Sequence, residues 1–353
     1  MYNIVVNVKE DSKEIYLLEN GILVERIKEQ KNIEGNIYLG KVQNVLPGMQ
    51  AAFVDIGEEK NTFIHLKDLL PKVDETQQKH ELNKNIKEVV KPGMEILVQV
   101  KRAENYKKGA KISTHISLTG KYLVLMPNTS IITISQKIEE KTETDRLKQI
   151  VKKILPKNMG AIIRTSARRV NEDEIEKDAN KLLARWEKIE KNKAKAPMII
   201  EKSAGALEKM LIDLNLKEIS SIITNNKKNV ESIIEKLGIQ LKIEEKKVDL
   251  TDQIEKADNR KIWLKCGGFI TIDRTEALTA IDVNSGKYTG IDNVETTIFK
   301  VNKEASIEIA KQLRLRDIGG IIIIDYIDMK NEENKEKIIE TLREELKKDR
   351  TKT

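Results

Sequence analysis

Cysteine is almost missing from this chain: Cys266 is the only one in 353 residues. A disulfide within the chain is therefore excluded, which fits a reducing compartment, and one thiol cannot build a structural zinc site by itself. Long apolar runs are also lacking, since none approaches the roughly 20 residues needed to cross a bilayer. The start, Met1-Tyr2-Asn3-Ile4-Val5-Val6-Asn7, has no basic stretch leading into an apolar core and reads as a strand, not a secretory signal. A cytoplasmic protein without a membrane span is the expectation. Histidines are few, and His65 has no second histidine beside it to form a metal site. No internal repeat is visible.

Charge is abundant. The chain carries 64 Lys+Arg against 57 Asp+Glu, a net +7 with a pI near 9.0. That excess suits a polyanionic partner, nucleic acid above all, although a lysine-rich solvated surface would look the same. Two segments are more informative, Ala277-Leu278-Thr279-Ala280-Ile281-Asp282-Val283-Asn284-Ser285-Gly286 and Ile321-Ile322-Ile323-Ile324-Asp325-Tyr326-Ile327-Asp328-Met329. Each is a β-branched run that reaches a carboxylate. Between them, Val294, Ile298, Val301, Ala305, Ile309 and Leu313 recur at steps of three or four, one face of a helix. Gly286 to Asp292 reads as a loop, and Asp317-Ile318-Gly319-Gly320 ends the helix with glycine in the left-handed conformation. The unbroken run Ile321–Ile324 predicts a strand covered on both faces.

Strand, helix, strand is a right-handed βαβ unit with parallel strands. If those strands are neighbours, Asp282 and Asp325 share the carboxyl edge of the sheet, where open α/β sheets bind ligands. Hard oxygen donors with no nearby His or Cys favour Mg²⁺ or Mn²⁺ over zinc. Asn284 and Asp328 could orient the ligands. Two aspartates that merely begin loops remain the plain alternative.

Elsewhere, residues 2–35 alternate apolar and polar positions around an Asn20-Gly21 hairpin turn. Residues 36–118 hold five short strands, ending with Met94–Val100 and Ile112–Leu118, and suggest a small barrel of the OB type. Residues 71–92 are polar and read as a long loop. Two of the four phenylalanines, Phe53 and Phe63, fall in this barrel. An exposed pair would stack bases, with Lys41, Arg102, Lys107 and Lys108 against phosphate and Gly109 allowing close approach of a ligand; core burial is the commoner fate of a strand phenylalanine. Residues 119–196 are mixed, 197–257 alternate helix and strand, and Glu332–Arg350 reads as a final helix.

The segments "YLGKV", "PGMQAAFVDIG" and "FIHLKDL" within Gly35–Leu69 resemble an S1 RNA-binding domain. The segments "ISLTGKYLVLMPN" (116–128), "IIRTSA" (162–167), "TEALTAIDVNSGK" (275–287) and "AKQLRLRDIGGIIIIDYIDM" (310–329) resemble the ribonuclease E / ribonuclease G family. That resemblance implies a Mg²⁺-dependent endoribonuclease that cuts single-stranded RNA to 5′-phosphate and 3′-hydroxyl ends, in rRNA processing and mRNA decay. It implies Asp282 and Asp325 as metal ligands supported by Asn284. Phe53, Phe63 and Lys108 would guide RNA, and Gly120, Val124, Arg164 and Thr165 would read a 5′-monophosphate. The implied fold is a multidomain α+β and α/β arrangement. An RNase H-like subdomain (1–35 and 197–257) is split by the S1 barrel (36–118) and a 5′-sensor region (119–196). A DNase I-like catalytic subdomain (258–353) follows.

The family continues into a Cys-x-x-Cys zinc link between protomers and a dimerisation domain. Cys266 lies in no such motif and the sequence stops at Thr353, so an incomplete reading frame or a truncated chain is expected. No zinc link is expected in this chain, a homo-oligomer is left open for the full-length protein, and apolar surface is expected around the catalytic subdomain. The rivals are a non-catalytic S1-type RNA binder, an inactive fragment of the enzyme, or a nuclease acting on DNA.

Overall fold

The computed structural model describes residues 1–10, 12–30, 32–70, 85–102, 109–192, 194–286 and 294–349. The chain divides into two compact units, one of Met1–Gln30 with Ala206–Thr353 and one of Lys31–Gly205. In chain order the strands are β1 (Tyr2–Val8), β2 (Ser12–Glu19), β3 (Ile22–Gln30), β4 (Ile37–Leu46), β5 (Ala51–Asp55), β6 (Thr62–His65), β7 (Glu95–Arg102) and β8 (Lys111–Ser113). Then come β9 (Leu118–Thr119), β10 (Leu123–Met126), β11 (Ile132–Ile134), β12 (Gly160–Ile163), β13 (Met198–Glu201) and β14 (Ile219–Thr224). Last are β15 (Ile243–Glu245), β16 (Lys261–Trp263), β17 (Phe269–Arg274), β18 (Leu278–Asn284) and β19 (Ile321–Asp325).

The contiguous unit has two cores. Strands β4, β5, β6, β8 and β7 pair in that order, and β4 pairs with β7 to close a barrel filled by Val42, Val54, Ile64, Val98, Val100 and Ile112. β13 adds to β4 outside the closed ring. The predicted strand Ile112–Leu118 is two strands: β8 belongs to the barrel, whereas Leu118 pairs with Leu125 in the next sheet. Gly109 is close to backbone rather than to a ligand, because a Cβ there would lie 2.3 Å from the carbonyl oxygen of Asn61. Of the predicted loop at 71–92, residues 71–84 lie outside the described residues, and Ile86–Val89 form one helical turn capped by the Asn85 side chain. Beside the barrel, β11, β12, β10 and β9 form a second sheet, packed against the helices Lys141–Ile154 and Glu172–Glu190 through Leu147, Val151, Leu182 and Trp186.

The other unit holds two sheets. In β15-β14-β1-β2-β3, the strands β1, β14 and β15 run parallel and β1-β2-β3 form a meander, so β2 alone points the other way. Asn20 and Gly21 both take positive φ at the β2–β3 turn, as a two-residue hairpin requires. The second sheet is β16-β17-β18-β19, antiparallel except for the parallel pair β18–β19. The helix Val294–Leu315 joins that pair and buries Val301, Ala305, Ile309 and Leu313 against Ile270, Ile272, Ile281 and Val283. Val294, assigned from spacing to the same stripe, is exposed.

This helix ends differently from the expectation. Asp317, at φ +49, takes the left-handed position, and the N–H of Ile318 reaches back to the Leu313 carbonyl at 2.9 Å. β19 is not covered on both faces either. Ile322 and Ile324 pack inward, while Ile321 and Ile323 are 65% and 53% exposed. The last helix, Glu332–Leu346, lies along the crossover helix through Leu342 and Leu346, with Ile338 buried. Gly109→Ala, which forces a methyl onto the Asn61 carbonyl, is expected to lower stability by about 1–3 kcal/mol, measured by denaturant unfolding.

Candidate active site

The predicted pair of carboxylates meets. β18 and β19 are hydrogen-bonded neighbours, and Asp282 lies directly beside Asp325 in the parallel register. Side chains alternate faces along a strand. In β18, Thr279, Ile281 and Val283 point to the helix, so Ala280, Asp282 and Asn284 share the opposite face; Asp325 joins them from β19. Both carboxylates are exposed. Asn284, two residues beyond Asp282, donates from Nδ2 to its Oδ2 at 2.6 Å and so restrains that carboxylate. Among the described residues no group of three or more His, Cys, Asp or Glu side chains comes together as a metal site. The two carboxylates, with substrate phosphate oxygens and waters, could form a set that Mg²⁺ accepts.

The segment after Asp325 is held by polar groups of the crossover helix that sequence reasoning missed. Asn302, 0% exposed, donates from Nδ2 to the Ile327 carbonyl at 2.8 Å and accepts from the Ile327 N–H at 3.2 Å. Ser306 shares a 2.7 Å hydrogen bond with the Tyr326 hydroxyl, and burial pushes that phenol up. Glu295, near the start of the same helix, accepts from the N–H groups of Lys330 (3.1 Å) and Asn331 (3.0 Å), which holds its carboxyl below the usual range. The signal was present: Asn302 and Ser306, one turn apart, interrupt the apolar stripe of the helix. Asp328 is exposed and makes none of these contacts.

On the other side of Asp282, Gly286 sits at φ +61 where a Cβ would lie 2.4 Å from the Gly267 carbonyl oxygen. The end of β18 is thereby pressed against the turn joining β16 to β17. Glu304 of the crossover helix accepts from the N–H groups of Lys265 and Cys266 in that turn. The rest of the expected Gly286–Asp292 loop lies outside the described residues.

On the barrel, Phe53 and Phe63 are cross-strand partners on the outer face, contrary to the expectation of core burial. Their rings meet edge to face at 5.8 Å, and the His65 ring meets Phe63 at 4.7 Å. Both phenylalanines are half-buried because each supports the next ring, and Asn44 extends the row on β4. Lys108, like Lys107, lies outside the described residues; Lys41 and Arg102 are exposed.

In the adjoining sheet, the Arg164 guanidinium donates to the Gly120 carbonyl at 2.7 Å, bringing the end of β12 to the end of β9. Thr165 is exposed and shares a 2.8 Å hydrogen bond with Ser135. Val124 is half-buried beside Thr119 and Ile162, on the strand that follows Gly120. The turn between is organised by Asp178, whose carboxylate accepts from the N–H groups of Lys121, Tyr122 and Leu123 at 2.8–3.1 Å.

The loop after Arg164 has its own anchor. Glu143 accepts two hydrogen bonds from Arg146, at 2.7 and 2.8 Å, and one from the N–H of Arg169, itself at φ +59. Arg146, assisted by the Arg169 N–H, holds the Glu143 carboxyl at about 2 despite its burial.

Two outcomes are expected. Asn302→Ala leaves both Ile327 backbone groups without their partner and lowers stability by about 2–3 kcal/mol, read by thermal unfolding. The Glu143 contribution is complete above the ordinary carboxylate range and disappears as pH falls from about 5 toward 2. Glu143→Gln is thus expected to cost about 1–2 kcal/mol at pH 7, discounted for the partly exposed Arg146, and to flatten the acid limb of a stability–pH profile.

Known proteins are similar to this chain in sequence. The model of the ribonuclease E/G family matches residues 117–353, and that of the S1 RNA binding domain matches residues 31–115. Ribonuclease G of Escherichia coli (strain K12) is 38% identical over 99% of this chain and 76% of its own length. Ribonuclease G of Haemophilus influenzae is 38% identical with the same coverage. Ribonuclease E of Escherichia coli (strain K12) is 36% identical over 91% of this chain and 32% of its own length. No helix among the described residues is long and apolar enough to cross a membrane. The chain belongs to the ribonuclease E/G family and is an endoribonuclease with an S1 RNA-binding domain.

Proposed function

We propose that the chain cuts single-stranded RNA with Mg²⁺, Mn²⁺ being able to substitute, to give 5′-phosphate and 3′-hydroxyl ends, and that a 5′-monophosphate stimulates cutting. The observation that carries this reading is the lateral pairing of Asp282 with Asp325 at the carboxyl ends of adjacent parallel strands. Bound there, Mg²⁺ would polarise the scissile phosphate and acidify an attacking water. Asp282 and Asp325 would hold the cation, and Asn284 would fix the Asp282 carboxylate through the hydrogen bond it already makes. Asn302 and Glu295 would keep the segment after Asp325 from shifting.

Phe53 and Phe63 would stack successive bases on the barrel, assisted by Lys108, which supplies register more than sequence preference. Arg164 and Thr165, with backbone groups at Gly120 and Val124, would receive the 5′-monophosphate through charge-assisted hydrogen bonds. Docking at that end would raise the local concentration of the cleavable segment. The strand order β3-β2-β1-β14-β15, with β2 alone reversed, supports reading the strands of 2–30 and 219–245 as the core of one RNase H-like subdomain (1–35 and 197–257), with β13 (Met198–Glu201) paired to β4 instead. Residues 258–353 would then form the DNase I-like part, 36–118 the S1 barrel and 119–196 the 5′ sensor. The cellular work proposed is rRNA processing and mRNA decay in the cytoplasm.

Asp325→Asn is expected to lower cleavage of a 5′-monophosphorylated oligoribonucleotide by about 100-fold or more while RNA binding persists in a mobility-shift assay. Unchanged turnover would remove the carboxylate pair from the chemistry. Arg164→Ala is expected to bring the rate ratio between 5′-monophosphate and 5′-hydroxyl substrates close to one. A preserved ratio would place the sensor elsewhere.

A further inference from the structure

The carboxylate face of the second sheet carries a group of side chains that the cleavage chemistry does not use. Across its strands, Lys261, Thr271, Asp282 and Asp325 lie side by side in one row. The next row toward the strand end is Trp263, Phe269 and Asn284. All of these point away from the crossover helix, because Ile270, Ile272, Ile281 and Val283 fill the other face. Trp263 is 57% exposed, in a chain whose other tryptophan, Trp186, is 6% exposed. Its ring meets Phe269 edge to face at 5.3 Å. Lys261 Nζ stands 4.2 Å from the Trp263 centroid and 3.6 Å from the Phe269 centroid.

A structural role does not account for this group. Large aromatics are placed in cores because water penalises their exposure, yet Trp263 keeps more than half its surface in water at a strand end. The position is also fixed. Gly268 lies against Asn284, where a Cβ would come 2.8 Å from the Asn284 carbonyl oxygen, and Glu304 clamps the turn between Trp263 and Phe269. The aromatic pair is therefore held in one position relative to Asn284 and the carboxylates. Two strand spacings separate Trp263 from the Asn284 column, about 10 Å.

We infer that Trp263, backed by Phe269 and flanked by Lys261, is a stacking platform for a nucleobase of the RNA substrate within about two nucleotides of the scissile phosphate. The cluster matches RNA by charge as well as shape: an open π-face for a base beside an ammonium for the neighbouring phosphate. Aromatic stacking accepts every base, so Trp263 acts as a positioning residue that sets which phosphate reaches the carboxylates, not as a reader of sequence. The inference rests on Asp282 and Asp325 being the cleavage site.

The test uses tryptophan fluorescence of the full chain carrying Asp325→Asn, titrated with an oligoribonucleotide of one cleavage site. Binding is expected to quench the emission, and the quench is expected to vanish when Trp263→Phe is added. Abasic nucleotides placed along the oligomer should abolish the quench only within about two positions of the cleavage site. In the cleaving enzyme, Trp263→Ala should raise KM about 10-fold with kcat within about twofold, and Trp263→Phe should recover most of that loss. Absence of a quench, a quench indifferent to abasic position, or a KM unmoved by Trp263→Ala would overturn the platform. The two readings separate cleanly: continued cutting by Asp325→Asn overturns the cleavage site and the platform with it. Lost cutting with undiminished fluorescence overturns the platform alone.

Discussion

Two like charges held side by side are the constraint around which the unit of Met1–Gln30 with Ala206–Thr353 is arranged. Asp282 and Asp325 occupy directly opposed positions on neighbouring strands, a placement that is unfavourable for two carboxylates. The fold tolerates it because both lie in water, where repulsion is weak. It holds the strands together through the parallel β18–β19 ladder and through Ile322 and Ile324, which pack into the same core as Ile281, Val283 and the helix residues Val301, Ala305, Ile309 and Leu313. Hydrophobic burial worth roughly 1.5–3 kcal/mol per side chain thus outweighs a small electrostatic cost. A cation between the carboxylates would turn that cost into attraction.

The polar groups of the crossover helix do a different job from the apolar ones. Burial sets which strands are adjacent, but it does not set the path of the chain once β19 has ended. That path is set by Asn302, Ser306 and Glu295, which bind backbone and hydroxyl groups of residues 326–331. On the barrel and the adjoining sheet the same division recurs. Val54 and Ile64 fill the interior while Phe53 and Phe63 support one another outside. Leu123 and Ile163 are core, while Asp178 and Glu143 fix the turns around Gly120 and Arg164.

Much of this was legible in the residues themselves. Spacing revealed the βαβ unit, Asn20-Gly21 marked the β2–β3 hairpin, and the short strands of 36–118 pointed to a barrel. The misreadings share a cause. An unbroken isoleucine run carries no alternation, so Ile321–Ile324 could not disclose that only one of its faces is covered. A phenylalanine between buried valines and isoleucines looks like core until strand parity is known, and a single-residue offset sends Phe53 and Phe63 outward. Leu118 reads as a continuation of β8 because the break at Thr114–Ser117 contains no proline or glycine. Glycine is the commoner left-handed residue and two glycines follow Asp317, so the sequence points past the residue that ends the helix. Asn302 and Ser306 are easily overlooked because polar residues in an apolar stripe normally mark an irregularity of the helix surface.

The split of one unit around the other has a consequence in time. β1 must pair with β14, and the Asn3–Ser221 contact between them spans 218 residues. At about 5–20 residues per second of synthesis, the meander β1–β3 waits about 10–40 s for its partner strand to be made. During that interval the whole of Lys31–Gly205 emerges as one uninterrupted stretch and has every strand it needs. On the ribosome, the unit with the S1 barrel is complete before the unit that carries Asp282 and Asp325 can close.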